Sequence, residues 1–274
     1  MKRFNIFAVI LLSGCMLFSA MAPALAQQEA KPEAPAAPTA PAEATLGFTA
    51  SVDFLSQYVF RGVAASADSA VIQPSLTYTY KGFAINVWGN LDTDQALFDR
   101  DEAKWNETDL TVSYSREVYK NLTLNGGFVR YFFHNLDYDA LEVFAGASYA
   151  LPFQITTTFT FYRELTDFPG WWFQFDIVKT FPIPYHGMSF DLGASFGYEI
   201  LEQNFPTIAA DYSEWHSGTI TGTLKIPVNK YLTVAPKFGI AFPLTGQAST
   251  FIRANSWDNE DVHPYGGINL TASF

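Results

Sequence analysis

Residues 188–200, MSFDLGASFGYEI, decide the fold because their apolar and polar side chains alternate without interruption. One face carries Phe190, Leu192, Ala194, Phe196 and Tyr198, and the other carries Asp191, Gly193, Ser195, Gly197 and Glu199. A period of two over this length indicates a β-strand whose two faces meet different surroundings. The stretches FQITTTFTFY (153–162) and SGTITGTLKI (217–226) repeat the pattern, so the chain is predicted to be rich in such strands.

A soluble sandwich and a membrane barrel both fit strands of this kind, and three features favour the barrel. Aromatic residues make up 17% of the chain and many fall at strand ends, as in an aromatic girdle: Tyr58, Phe60, Tyr78, Tyr80, Trp171 and Trp172. The polar faces carry Thr, Ser, Gly and Asn rather than the Lys and Glu of water-exposed strands. The last strand ends at Phe274, an ending that resembles the assembly signal of bacterial outer-membrane barrels.

The chain from 46 to 274 is predicted to be all-β: a closed antiparallel transmembrane barrel of about 12 strands. Strand patterns lie near 47–61, 71–80, 83–91, 107–116, 121–134, 140–150, 153–164, 171–181, 188–200, 213–226, 231–243 and 264–274. Tight connections alternate with longer ones, and such barrels have short periplasmic turns and long outer loops. Twelve strands give a backbone diameter of roughly 24 Å, which inward side chains narrow to roughly 12 Å.

The first 45 residues have a different character. Lys2 and Arg3 precede an apolar run that ends in small residues, so residues 1–26 are predicted to be a secretory signal peptide. The stretch LSGC at 12–15 leaves an alternative in which Cys15 is lipidated. Residues 27–45, rich in Pro and Ala, are predicted to be a disordered periplasmic tether.

Composition excludes several classes of function. Loss of Lys2 and Arg3 with the signal would change the net charge from −11 to −13 and leave no cysteine. Disulfides, thiol nucleophiles and thiolate-bound metals are thereby excluded. The acidic balance argues against a nucleic-acid partner and permits attraction of cations. No cofactor motif appears, and no cofactor is expected.

Residues 52–92 resemble the opening of the TorF-type family of proteobacterial outer-membrane porins. The matching motifs are Y-V-F-R-G at 58–62, I-Q-P at 72–74, G-F at 82–83 and V-W-G at 87–89. The resemblance implies a porin-type outer-membrane barrel, and it does not identify a transported substrate.

The first strand pattern raises the question of what Arg61 does. If the strand runs from 47 to 61, Tyr58 and Phe60 face lipid while Asp53, Gln57 and Arg61 face the lumen. An arginine toward lipid at the bilayer centre would cost about 2–4 kcal/mol. Arg61 is therefore predicted to end the strand near the outer mouth, either paired with a carboxylate or loop carbonyls or as part of a selective constriction.

The same parity predicts further pore-lining residues: Asn86, Trp88, Asn90, Asp109, Glu142, Asp176, Asp191, Glu199, Lys225 and Lys237. The fifth strand changes phase near Gly126 and Gly127, which predicts a bulge and an inward Arg130. Acids outnumber bases in this set, which predicts a mild cation preference. The alternative is an internal salt-bridge network that only fills the barrel.

The acidic segment 92–109, DTDQALFDRDEAKWNETD, is predicted to form most of an outer loop. It departs from the calcium-loop pattern at Ala96 and Leu97, so no metal site is predicted from it. Bridging to lipopolysaccharide through divalent cations and a merely solvated loop are the two interpretations.

The leading functional hypothesis is a porin-like channel for passive diffusion of small hydrophilic solutes, as a monomer or a trimer. Expected partners are outer-membrane lipid, lipopolysaccharide and, through the C-terminal strand, the outer-membrane assembly machinery. The alternative is a non-conducting structural or adhesive barrel that acts through its acidic loops. An outer-membrane lipid-modifying enzyme is less favoured, because the histidines are scattered and His216 and Ser217 share a strand but not a face; no catalytic residue is predicted.

Overall fold

The computed structural model describes residues 46–67, 69–95, 102–134, 139–166, 169–202 and 212–274. The predicted signal peptide (1–26) with Cys15, and the predicted tether (27–45), lie outside the described residues. So does the middle of the predicted acidic loop, residues 96–101. Within the described part of the chain, no helix is long and apolar enough to cross a membrane.

Twelve strands form a closed antiparallel barrel, as the sequence predicts. They are β1 (Leu46–Leu55), β4 (Val71–Tyr80), β5 (Phe83–Gln95), β6 (Glu102–Tyr119), β7 (Leu122–Phe133), β8 (Asp139–Leu151), β9 (Ile155–Glu164), β10 (Gly170–Pro182), β11 (Ser189–Leu201), β12 (Ser213–Pro227), β13 (Leu232–Pro243) and β14 (His263–Ser273). Two short strands, β2 (Val59–Phe60) and β3 (Val63–Ala64), pair as a separate hairpin, and helix α1 (Gly246–Asn255) lies between β13 and β14. The barrel closes where β1 pairs with β14.

The barrel is apolar outside and polar inside. Exposed apolar side chains on its outer surface include Phe48, Phe54, Leu76, Ile85, Val87, Phe159, Phe175, Leu192, Ile220, Phe238 and Ile268. Buried polar side chains on its inner surface include Asp53, Gln73, Asn86, Asn90, Asp109, Glu142, Thr160 and Gln174. Lipid offers no hydrogen-bond partners, and a closed sheet satisfies the backbone groups of its strands internally. The arrangement is that of a transmembrane barrel.

The two ends of the barrel differ. One end carries the tight connections 81–82, 120–121, 152–154, 183–188 and 228–231, and we call it the short-turn end. The other carries the longer connections and is called the long-loop end. At the short-turn end Lys81 and Gly82 have φ of 51° and 85°, the left-handed pair that lets a two-residue turn reverse the chain. That this end faces the periplasm stays a prediction.

The first strand is shorter than predicted. It ends at Leu55, and the chain then leaves the wall and enters the barrel as the β2–β3 hairpin. Arg61 and Gly62, with φ of 43° and 92°, form the two-residue turn at its tip. Tyr58 and Phe60 are 6% and 4% exposed, so the prediction that they face lipid was wrong. Their alternation belongs to an internal hairpin, where aromatic side chains are also buried in apolar surroundings.

Helix α1 packs against this hairpin inside the long-loop half of the barrel. The Thr245 hydroxyl caps the helix by accepting a hydrogen bond from the Ala248 N–H at 3.1 Å. The Ala64 N–H donates to Ser256 Oγ at 3.0 Å, and the Trp257 N–H donates to the Ala64 carbonyl at 3.0 Å. We call residues 56–66 together with 245–258 the plug.

Hydrogen bonds also fix the chain that leads from the helix back to the wall. Ser249 and Arg253, both on the helix, donate to the Asp261 carboxylate. These two bonds hold the pKa of Asp261 below its usual value. The return segment is therefore tied to the helix before β14 begins.

The fifth barrel strand has no bulge at Gly126–Gly127, contrary to the sequence prediction. Its pairing with β6 and β8 is continuous through both glycines. Val129 and Tyr131 face inward, 0% and 1% exposed, while Arg130 lies on the outer face and pairs with Asp139 at 3.1 Å. The alternation of apolar and polar residues does not in fact change phase along this strand. The plug covers this part of the inner wall, so the inward-facing side chains here are apolar rather than polar.

Candidate functional site

The centre of the barrel interior is a buried ion pair between the plug and the wall. Both guanidinium Nη atoms of Arg61 donate to the Glu142 carboxylate, at 3.0 and 2.9 Å. The two side chains are 5% and 2% exposed. The Tyr131 hydroxyl donates a third hydrogen bond to Glu142 at 2.9 Å. Both charges of this buried pair are hydrogen-bonded. Removing one partner would strongly destabilise the fold, because the other charge would remain buried without a partner.

Aromatic rings complete the surroundings of Arg61. Its guanidinium carbon lies 5.2 Å from the centre of the Tyr162 ring and 4.8 Å from that of Trp172, at distances typical of cation–π contacts. Trp172 lies flat over Gly197, where any side chain would overlap the indole. Gly197 thus provides the room that lets Trp172 support the arginine.

Polar groups continue from Trp172 toward the short-turn end. The indole N–H donates to Gln174 Oε1 at 3.0 Å, and Gln174 Nε2 donates to Asp176 at 2.8 Å. The Ser195 hydroxyl donates to the same carboxylate at 2.5 Å. A narrow cleft of about 30 Å³ between the plug and the wall is lined by Arg61, Trp172, Gln174, Ser195 and other residues of the inner face.

Two further ion pairs lie on the inner wall, one near the short-turn end (Lys225 with Asp191) and one near the middle of the barrel (Lys237 with Asp53). Lys225 Nζ lies 2.7 Å from Asp191 and Lys237 Nζ lies 2.5 Å from Asp53. Both lysines are partly exposed, at 35% and 23% of the side chain. Solvent therefore reaches the lumen from the short-turn end to about its middle, whereas the plug occupies the long-loop half.

The structure places the predicted pore-lining residues on the inner face or in the plug. Buried positions are Asp53, Gln57, Asn86, Trp88, Asn90, Asp109, Glu142 and Glu199, and partly exposed ones are Asp176, Asp191, Lys225 and Lys237; the side chain of Arg61 is buried although its backbone at the hairpin tip is partly exposed. Arg61 and Gln57 belong to the plug rather than to the strand predicted for them. Their role in lining a pore remains a prediction.

Two histidines occupy positions that the sequence did not reveal. A register shift between β11 and β12 places His216 and Ser217 both inside, 1% and 4% exposed, so the prediction of opposite faces was wrong. His263 lies between Ser256 and Asp258, with Nε2 3.1 Å from Ser256 Oγ and Nδ1 3.1 Å from Asp258 Oδ2. No sequence motif indicates this triad-like arrangement, because it depends on the path of the chain from helix α1 to β14.

In the described residues no group of three or more His, Asp or Glu could hold a metal ion.

Comparison with known proteins agrees with the fold. A family model described as "Bacterial protein of unknown function (Gcw_chp)" matches residues 39–231. No curated protein matches the sequence. Similar solved structures include the KdgM porin, with 9% identity, TM-score 0.52, and coverage of 82% of this chain and 99% of that one. The NanC porin has 7% identity and TM-score 0.53, covering 83% and 98%.

An outer-membrane channel from Pseudomonas putida F1 is similar too, with 10% identity, TM-score 0.53, and coverage of 86% of this chain and 97% of that one. At these identities the likeness concerns the fold alone. The chain therefore has the fold of outer-membrane porins and channels, whereas the resemblance to the TorF-type family stays a prediction.

Proposed function

The chain belongs to the Gcw_chp family of bacterial proteins of unknown function, and we propose that it is an outer-membrane channel for passive diffusion of small hydrophilic solutes. The observation that carries the proposal is a polar interior enclosed by an apolar outer surface. Partly exposed lysines indicate that water reaches the short-turn half, and Arg61 lines a cleft between the plug and the wall. The plug is then the constriction, with the Arg61–Glu142 pair at its tip.

A mild preference for cations follows from the charges left over in the interior. The predicted pore-lining bases are each paired with an acid: Arg61 with Glu142, Lys225 with Asp191 and Lys237 with Asp53. Within the described residues, Asp176 and Glu199 form no ion pair with a lysine or arginine. An excess of negative charge along a narrow passage raises the local concentration of cations.

The competing proposal is a non-conducting structural or adhesive barrel. Its support is the plug itself, which fills the long-loop half and is held by an ion pair with almost no exposure. In that case the acidic residues of the long-loop end would be the functional surface, and lipopolysaccharide bridged by divalent cations would be one partner.

Planar-bilayer recording of the full folded protein separates these two proposals. We expect discrete conductance steps that are small for a twelve-stranded barrel, because the plug narrows the passage. In a potassium chloride gradient the reversal potential should have the sign of cation preference. Protein unfolded by heating serves as the control. A barrel that stays silent at every voltage would reject the channel and favour the structural role.

We also propose that the chain is not an enzyme, although Ser256, His263 and Asp258 form a hydrogen-bonded series. Ser256 is 5% exposed, and its Oγ already accepts the Ala64 N–H. A substrate carbonyl carbon needs direct access to that oxygen. The hydrogen bonds instead join the plug to the start of β14.

A fluorophosphonate probe tests this point, since it modifies activated serines covalently. The folded protein should remain unlabelled, as should the Ser256→Ala variant. Labelling of the native protein that disappears in Ser256→Ala would show an activated nucleophile and contradict the proposed absence of enzymatic activity.

The outer surface of the barrel and the rim at its short-turn end suggest two partners, membrane lipid and the outer-membrane assembly machinery. The apolar outer face is proposed to contact outer-membrane lipid. Phe274 is 68% exposed at the short-turn end, with its ring 5.5 Å from that of Tyr231. An exposed terminal aromatic is available for recognition by the assembly machinery. A monomer and a trimer both remain compatible with the proposal.

A further inference from the structure

Two acidic side chains on β6 lie together in the barrel wall and have no basic partner. Glu107 and Asp109 are 2% and 4% exposed, and their carboxyl groups are close enough to interact with each other. Within the described residues, no lysine, arginine or histidine forms an ion pair with either. Two buried carboxylates in contact repel each other unless a proton or a cation lies between them.

Unpaired polar atoms surround this pair on the neighbouring strands. In the described part of the wall formed by β4, β5 and β6, the buried side-chain atoms without a hydrogen-bond partner are Gln73 Oε1, Asn86 Oδ1, Trp88 Nε1, Glu107 Oε1, Asp109 Oδ1 and Thr111 Oγ1. Buried polar atoms are rarely left unpaired, so a group of them in one place calls for a physical explanation. All but the indole nitrogen of Trp88 are oxygens.

The strand register brings these atoms to one patch of the inner wall. Asp109 lies directly opposite Trp88, and Thr111 lies directly opposite Asn86. Glu107 lies opposite Asn90. Directly paired residues of an antiparallel sheet have Cβ atoms roughly 5 Å apart, which is within reach of one shared ion and its water.

We propose that this patch binds a hard divalent cation of the calcium class between Glu107 and Asp109. Calcium prefers six to eight oxygen ligands, including carboxylates, amide carbonyls and water. The two carboxylates would supply the charge, and water molecules held by the neighbouring unpaired oxygens would complete the sphere.

A divalent cation neutralises both carboxylates at once, whereas a single shared proton leaves one negative charge in the wall. Neutralisation by protons alone requires one proton on each carboxyl group, and the binding experiment below distinguishes that state from a bound cation. Arg61 does not supply the missing charge, since both of its Nη atoms are engaged by Glu142.

The site also lies where the plug meets the wall. The Tyr58 hydroxyl, from the plug, donates to Glu107 Oε2 at 3.4 Å. Occupation of the site would therefore affect the contact between the plug and β6. The inference does not depend on conduction, so the site and the proposed channel can fail separately.

Terbium luminescence is the direct test, because terbium replaces calcium and emits when a nearby tryptophan is excited. Folded full-length protein, freed of metal by a chelator, should show saturable sensitised emission that calcium competes away. Asp109→Asn, with Glu107→Gln as a second variant, should weaken binding about tenfold or more, since ligand charge sets calcium affinity. Trp88→Phe should lose much of the emission while calorimetry still detects calcium binding.

The matched control is Glu117→Gln, an exposed acid on the same strand, which should leave terbium binding unchanged. Each variant is first checked for the folded form by its heat-dependent mobility in gels. Absence of saturable binding by the folded protein would overturn the proposal, and so would binding that Asp109→Asn and Glu107→Gln leave unchanged. Competition by sodium or potassium as effective as by calcium would also overturn the divalent assignment.

Discussion

Replacing Gly267 with alanine is expected to keep most of the protein from reaching the closed barrel. Gly267 lies on β14 opposite Leu55, at the seam where the last strand pairs with the first. A Cβ atom there would overlap the Phe54 carbonyl oxygen and crowd the Leu55 backbone. Backbone atoms of a paired strand cannot move aside without breaking the ladder, so the cost should be about 3 kcal/mol or more, at the upper end of overpacking.

The neighbouring glycine is the matched control for this prediction. A Cβ at Gly266 would meet its nearest atom, the Lys237 carbonyl oxygen, at 3.4 Å, which is ordinary contact. Gly266→Ala should therefore fold nearly as well as the native protein. The measurements are the fraction with heat-dependent mobility in gels and the urea midpoint of the folded fraction. Equal behaviour of the two variants would show that the seam is not closed as described.

Replacing Arg61 with methionine should free the plug and raise the conductance several-fold. Methionine keeps much of the length of the side chain but leaves Glu142 charged, buried and without its bidentate partner. Breaking a buried pair in this way costs about 3–5 kcal/mol. The barrel wall does not depend on this pair, so the loss should appear as release of the hairpin rather than as unfolding.

The chain offers a matched control in Arg163, on the outer face of β9. Arg163 also pairs with a glutamate through both Nη atoms, at 2.6 and 2.7 Å to Glu202, and lies 5.0 Å from the ring of Trp171. This pair is exposed to solvent, with 23% and 41% of the side chains accessible. Water screens exposed pairs, so Arg163→Met should change neither stability nor conductance measurably.

The double variant Arg61→Met with Glu142→Gln completes the experiment. It removes the orphaned charge, so part of the stability lost in Arg61→Met should return while the conductance stays high. If Arg61→Met conducts like the native protein in planar bilayers, the plug is not the constriction.

Much of the wall could be predicted from the sequence. The alternation in residues 188–200 appears in the structure as β11, with Leu192 exposed on the outside and Glu199 buried inside. This works because a strand with a period of two, placed between lipid and a polar lumen, has only one register that satisfies both faces. The tight turns were also predictable from local sequence, because a glycine such as Gly82 readily adopts the left-handed conformation that a two-residue turn requires.

The plug could not be predicted in this way. Tyr58 and Phe60 have the alternation of a wall strand, and lipid and a packed hairpin are both apolar, so the pattern does not distinguish them. The predicted bulge in β7 was wrong for a related reason. Val129 and Tyr131 are apolar but face inward against the plug, so the alternation along the strand resembles a change of phase. Local periodicity reports the polarity of a side chain's surroundings and not which part of the molecule supplies them.

The sequence by itself therefore determined a twelve-stranded barrel with an apolar exterior, since that information repeats every two residues along each strand. Only the tertiary structure decided that Arg61 meets Glu142, that His263 lies between Ser256 and Asp258, and that the plug fills one half of the lumen. These contacts join segments far apart in the chain. They exist only after closure of β1 against β14 has fixed the space inside the barrel.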